Sequence, residues 1–502
     1  MVSENDTFSH GIVMHQGDDD DARMEAIKRV IGERSHPARF NDVHSGLNST
    51  WVSRTVEART LNDVVQAVRR ARAESRPMAI AGGRHAMGGQ QFLSGGTLLD
   101  MRGMNRVRHF DEDRGLLEVE GGIQWPGVLR GYLGRPGGID CPWGIRQKQT
   151  GADRLTIGGA VAANIHGRCL TAAPFVEDLE SLEVVTAEGE VIRCSRSEHR
   201  DLFRHVVGGY GLFGVVTAAT LRLVRRQQVE RVVELCEVDA LVDNLVSRIA
   251  GGALYGDFQF AIDHESPDFL RMGILSCYLP AGDVRPIPPR QRRLSQSDWD
   301  RLIDWAHSDK TRAFQEFTNF YLSTSGQRYW SDTHQLNLYL ENYHAALDDR
   351  RGCGVRGGEM ITELYVPRDR LTSLMAEIRR DFLRNPVNLI YGTIRLIETD
   401  TESALPWAKD RYACVIFNLH VDHRPDEIDR ARSAFVRLID HAIAQGGSYY
   451  LTYHRWAEPR QLRSCYPELP AWLRYKRAVD PIGTFASDWF SYLVRATDGN
   501  PS

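Results

Sequence analysis

The sequence has no cysteine pair at CxxC spacing, no apolar run of membrane-spanning length, no basic excess and no internal repeat. Each absence removes a class of function. The eight cysteines, at positions 141, 169, 194, 236, 277, 353, 414 and 465, are scattered, which argues against zinc or a disulfide lattice and for reduced thiols in a cytoplasm. Without an apolar stretch of about 20 residues, no membrane span is expected. Lys plus Arg number 62 against 66 for Asp plus Glu, a formal charge of −4. The basic stripe that nucleic acid requires is missing, so a small-molecule partner is expected. The first 25 residues carry histidines and GDDDD in place of a basic start and an apolar core, and read as a solvated tail and not as a leader.

What is there is the composition of a globular protein, 42% apolar and 25% charged, at a length of 502 residues that calls for two or three domains. TLNDVVQAVRRARA (60–73) has helical spacing with Thr60 as N-cap and Asp63 three residues on. Short strands are expected at MAIA (78–81), TLLDM (97–101) and LLEVEGG (116–122), and a hairpin at SLEVVTAEGEVIRC (181–194). Farther on, HQLNLYLEN (334–342) and MITELYV (360–366) alternate like strands, LTSLMAEIRRDFL (371–383) is helical, and DVRPIPPRQRRLSQ (283–296) is a surface loop. The pattern is α+β, with local hairpins and no doubly wound alternation.

Three glycine clusters stand out. AIAGGRHAMGG (79–89) follows a strand and contains His85, yet it matches neither GxGxxG nor the phosphate-loop pattern. TIGGAVAANIHGR (156–168) is a run of small residues that ends at His166. VVGGYGLFGVVTAATLRLV (206–224) is a glycine-rich turn that enters a strand of β-branched residues, and most of it reads as buried strand. A glycine loop lets backbone approach a flat cofactor or a phosphate, and each loop alone reads equally as a tight turn. Two loops within 90 residues, each with a histidine, favour a cofactor. GGSYYLTYHRWAEP (446–459) gathers Tyr449, Tyr450, Tyr453, His454 and Trp456, either as a core seam or as groups that grip a hydroxyl.

Together these segments resemble the FAD-binding domain of the vanillyl-alcohol oxidase and p-cresol methylhydroxylase superfamily. RYACVIFN, GGSYYLTYHRW and CYPELPAWLRYKRAVDPIGTFASD extend the likeness to its sugar-oxidising branch of alditol, aldonolactone and decaprenylphosphoryl-ribose oxidases. The resemblance covers roughly residues 50 to 495. It implies a two-subdomain FAD-binding domain at 46–226 after an extension at 1–45. A substrate or cap domain with an antiparallel sheet follows at 227–445, and a C-terminal segment at 446–502 returns to the active site.

The resemblance also implies residue roles. FAD would be cradled by Ala81, Gly82, Gly83, Arg84, His85, Ala86, Gly88 and Gly89 on one side. On the other would lie Gly151, Thr156, Gly158, Gly159, Ala162, Ala163, His166, Val216 and Tyr450. His85 occupies the place of the histidine bonded to the flavin 8α-carbon, and with no cysteine near 153–156 one such bond at most is implied. Arg395, Tyr453 and His454 take catalytic places, while Tyr412 and Cys414 line the substrate pocket. Where many relatives carry Glu-x-Arg this chain reads Thr393-Ile394-Arg395, and strand parity nominates Glu363 as the replacement carboxylate.

The implied reaction is oxidation of an alcohol on a sugar, polyol, lactone or sugar-containing compound, with O2 or another acceptor taking the electrons. Asn164 and Ile165, where related oxidases have Gly-Thr, lean toward a dehydrogenase. A flavin-dependent reductase of a carbon–carbon double bond and a flavin binder without turnover are the alternatives.

Overall fold

The structure, a computed structural model, describes residues 33–34, 37–134, 140–288, 291–336 and 343–498. Helix α1 (Leu61–Ala73) starts where the cap signal places it. Thr60 Oγ1 accepts from the Asp63 N–H at 3.2 Å, and the Asp63 carboxylate accepts from the Thr60 N–H at 2.9 Å. Its Val64, Val68 and Ala71, at helical spacing, are buried. Strand β1 (Met78–Ala81) follows and runs into the first glycine loop. It belongs to a four-stranded sheet whose strand Thr97–Asp100 lies parallel to both β1 and Arg54–Glu57. This small β-α-β crossover is an addition to the α+β pattern with local hairpins, because strands of four residues carry too little periodicity to show their pairing.

The expected hairpin is present, with Val185 opposite Val191. It sits in a five-stranded antiparallel sheet with Val215–Arg222, Leu116–Glu120 and Val107–Asp111. Helix α2 (Ile157–Ala163), capped by Thr156, packs against this sheet.

The third sheet, eight-stranded among the described residues and antiparallel throughout, opens with Gln228–Glu237 next to Arg328–Trp330 and Met272–Pro280. Its centre is formed by β2 (Tyr255–Phe260), β3 (Gly357–Pro367), β4 (Leu389–Ile397) and β5 (Tyr412–Asp422), in the spatial order β2, β4, β5, β3. Ser448–Tyr449 closes it, so the sheet runs slightly beyond residue 445. Two helices, α3 (Gln296–Ser308) and α4 (Lys310–Leu322), follow the Pro/Arg-rich stretch, whose described residues before Gln296 form no helix or strand. Two more, α5 (Leu371–Arg384) and α6 (Pro425–Ala444), cover the outer face of the sheet, where Phe417 meets Phe382 at 5.6 Å. HQLNLYLEN lies mostly outside the described residues, and its first two residues complete a 3-10 turn.

The last segment ties the parts together. Phe485 bridges Met78, the Met87 N–H donates to Thr452 O at 3.0 Å, and the Tyr450 N–H donates to Glu363 O at 3.0 Å. The glycine loops, the sheet and this segment therefore meet at one place.

Candidate functional site

A cavity of about 930 Å³ lies where they meet. The glycine loops form one half, with Ala81, Gly82, Gly83, Arg84, His85 and Ala86 on one side. Gly151, Thr156, Gly158, Gly159, Ala162, Ala163 and Val216 face them. The two loops touch: a Cβ on Gly82 would stand 2.1 Å from Thr156 Oγ1, and one on Gly83 would stand 2.4 Å from Arg154 O. No side chain fits there, so the spacing between the loops depends on glycine. The resulting surface is backbone and methyl groups beside the guanidinium groups of Arg39 and Arg84. Its nearby acid, Asp42, is occupied by the N–H groups of His44 and Ser45, the Ser45 hydroxyl and the Asn48 amide. A flat ring with a pyrophosphate fits this donor set.

His85 is at the centre of this half. Its Nδ1 is 3.0 Å from Nε2 of His44, whose own Nδ1 lies 3.8 Å from Glu359 Oε2. Burial first, then the charge of His44, pushes the His85 pKa down to about 3, so the imidazole is neutral. His44 lies inside the segment expected to be a mere extension. Its only sequence signal is a histidine, and the partner is 41 residues away.

The other half is the inner face of the eight-stranded sheet. Alternation along the strands turns Asp257 and Gln259 of β2, Thr393 and Arg395 of β4, and Asn418 of β5 inward, while Phe258, Ile394 and Phe417 point away. Arg395 is 3% exposed, and its Nε and Nη1 have no hydrogen-bond partner among the described residues. A guanidinium cannot shed its charge, so these two buried donors are suited to bind an oxygen of a ligand.

Behind this wall lies a hub on Glu363. Its carboxylate accepts from His166 Nε2 at 2.5 Å, Tyr365 Oη at 2.6 Å, Tyr453 Oη at 3.1 Å and Cys414 Sγ at 3.2 Å. Burial alone would raise its pKa, but the charge and bond of His166 and the bonds from Tyr365 and Cys414 outweigh it and hold the carboxyl at about 2. Glu363 is therefore ionised. The ligating atoms of His166, Glu363 and Cys414 lie within 4.8 Å of one another, and the hydrogen bonds already engage them. Burial, then the Glu363 charge, pushes the Tyr453 pKa well above 10, so Tyr453 is a neutral phenol.

Most expected cofactor residues thus border the cavity, as does Tyr450, whose hydroxyl donates to Ala163 O at 2.6 Å at the end of α2. Gly88, Gly89 and His166 do not. Gly88 is pressed on Tyr453 O, Gly89 turns at φ +76° beside Arg455, and His166 is bound to the hub. Of the catalytic expectations, Arg395 and Tyr453 border the cavity, and Glu363 reaches it through the Tyr453 phenol. His454 does not: its ring stacks on Trp456 at 4.0 Å, outside the lining. Tyr412, stacked on Tyr365, and Cys414, bound to Glu363, also lie behind the wall. For Cys414 parity names the correct face of β5, but the hub beneath Tyr453 covers it. Sequence reading missed Asp257 and Gln259, whose strand gives no motif, Asn418, which closes RYACVIFN but was not singled out there, and the helix pair α3 and α4, whose apolar stripes also line the cavity.

Among known proteins, the FAD binding domain family matches residues 52–195. Decaprenylphosphoryl-beta-D-ribose oxidase of Mycolicibacterium smegmatis is 24% identical over 441 residues, 85% of this chain and 91% of that protein. Cytokinin dehydrogenase 4 of Oryza sativa subsp. japonica is 30% identical over 231 residues, 42% of this chain and 41% of its own. Cytokinin dehydrogenase 1 of Arabidopsis thaliana is 31% identical over 150 residues, 29% and 25% of the two chains. The chain spans less than half the length of these two dehydrogenases.

Proposed function

Because the protein belongs to the FAD-binding oxidoreductase superfamily and binds FAD, we propose that it oxidises an alcohol of a sugar, polyol, lactone or sugar-bearing compound. The observation that carries this reading is Arg395, a buried cation on the cavity wall with two nitrogens unpartnered among the described residues. Of the three relatives, the one matched over most of this chain is named for a ribose compound, which supports a hydroxyl substrate.

Bound FAD supplies a two-electron acceptor for the substrate carbon. Arg395 donates to the reacting oxygen and stabilises the negative charge that grows there. Tyr453 has its proton committed to the ionised Glu363, so its oxygen is turned to accept from the substrate hydroxyl. Glu363 is the nearest acceptor beyond that phenol, and His166, Tyr365 and Cys414 hold it in place. The part of Glu363 is thus to orient Tyr453 and to take up its phenolic proton as Tyr453 takes the proton of the substrate hydroxyl, without touching substrate.

A bond between His85 and the flavin belongs to the same proposal. Its support is a neutral imidazole with Nδ1 engaged by His44, held in the glycine loop. Acid precipitation should carry yellow colour into the pellet, and colour wholly in the supernatant rejects the bond. The reaction itself is tested by mixing the protein under nitrogen with sugars, polyols and lactones. Bleaching of the flavin is expected for at least one alcohol without any nicotinamide; a requirement for a nicotinamide donor would favour a reductase. Admission of air then shows whether O2 restores the colour, as an oxidase requires, or whether another acceptor is needed.

A further inference from the structure

The cavity beyond the glycine loops has two unlike walls. On the sheet wall, Arg395 Nε and Nη1 and Asn418 Oδ1 have no hydrogen-bond partner among the described residues, and beside them lie the Thr393 hydroxyl and the Asp257 carboxylate, whose Oδ1 is 3.6 Å from Arg168 Nη1. These are the complements that hydroxyl groups need. The facing wall is the helix pair. Trp299, Leu302, Ile303 and Ala306 follow the i, i+3, i+4, i+7 rule along α3, and Phe314 and Phe317 continue the surface on α4.

A stripe of this kind ordinarily packs on a core. Here Leu302 and Ala313 are the buried members of the two helices, while Trp299, Ile303, Phe314 and Phe317 are half-buried against the cavity. The described cavity-lining residues of this wall include no acid, lysine or arginine. Its one histidine, His307, is kept neutral by burial, with a pKa lowered to about 4.

A free sugar would satisfy the sheet wall and leave the helix stripe facing water. We propose that the substrate is an amphiphile, a hydroxylated unit joined to an uncharged alkyl or aryl group, with the hydroxyls on the sheet wall and the apolar group against α3 and α4. The assignment rests on the reading of the Arg395 wall as the place of the reacting hydroxyl. It adds what lies across from it. The apolar group would be recognised by area alone, since removal of apolar surface from water is favourable in proportion to that area and has no direction.

The test uses the FAD-loaded protein and n-alkyl β-D-glucosides from methyl to octyl, each below its micelle concentration. Binding is read from the flavin difference spectrum and from tryptophan fluorescence. Each added methylene is expected to tighten binding about threefold to fourfold, and the series to span at least about a hundredfold. Phe314→Ser and Phe317→Ser should flatten that slope, whereas general damage to the fold would weaken every member alike. An octyl glucoside that fails to bind, one that binds no more tightly than methyl glucoside, or a slope unaltered in both variants overturns the proposal. Failure of the alcohol-oxidising reading looks different: chain length still governs binding, but no alcohol bleaches the flavin.

Discussion

The two halves of the cavity are made of different material. The half around Gly82 and Gly158 is backbone and methyl groups from two loops in contact, whereas the half around Arg395 is side chains projected from neighbouring strands. A backbone surface has one shape and tolerates little substitution at Gly82 and Gly83, where an added carbon meets the opposing loop. A side-chain surface can be rewritten one residue at a time on an unchanged sheet. The first half suits FAD, and on the proposed reading the second selects the molecule that is oxidised.

The sharpest way to separate the halves is at Arg395. Arg395→Met keeps the bulk and removes the charge, and should slow reduction of bound flavin by substrate about a hundredfold to a thousandfold while FAD stays in place. Rapid-mixing absorbance under nitrogen measures it; a rate near that of the wild type would place the oxyanion partner elsewhere. Gly82→Val should do the converse. Its Cβ meets Thr156 Oγ1, and overpacking of this size weakens FAD retention about tenfold to a hundredfold, with turnover per bound flavin much less altered. The flavin-to-protein ratio after purification reads it, and a full complement of flavin would contradict the contact between the loops.

The smallest effect is expected at His454, which lies outside both halves. Burial, opposed by the Asp42 charge, lowers its pKa from 6.5 to about 4. Between those values the unfolded chain binds a proton that the native protein refuses, so stability is lost as pH falls through that window. His454→Gln should flatten the acid side of a plot of Tm against pH and leave flavin reduction unchanged. Slower reduction would return His454 to the site.

Local features were legible where the cause is local. The Thr60–Asp63 cap and the 181–194 hairpin each depend on residues within one element and appear as read, and most of the glycine-loop residues border the cavity, Gly88, Gly89 and His166 excepted. Strand parity correctly put Glu363 and Arg395 on one sheet face. It does not tell what covers that face, and the cover comes from Tyr453, 90 residues away, and His166, 197 residues away. This is why Glu363, Cys414 and Tyr412 were expected at the cavity and lie behind it, while His454, on no strand, stacks on Trp456 outside the lining. His44 and the α3 and α4 wall were missed for the same reason: a helix stripe announces that it packs, without saying on what.

By itself, the sequence determined that this chain carries two loops able to let a flat cofactor approach main chain, since glycine spacing is a covalent property. Tertiary structure alone decided which side chains share the space beyond them. Burial and partnership are set by segments far apart in the chain, and no short-range pattern encodes the distance between them.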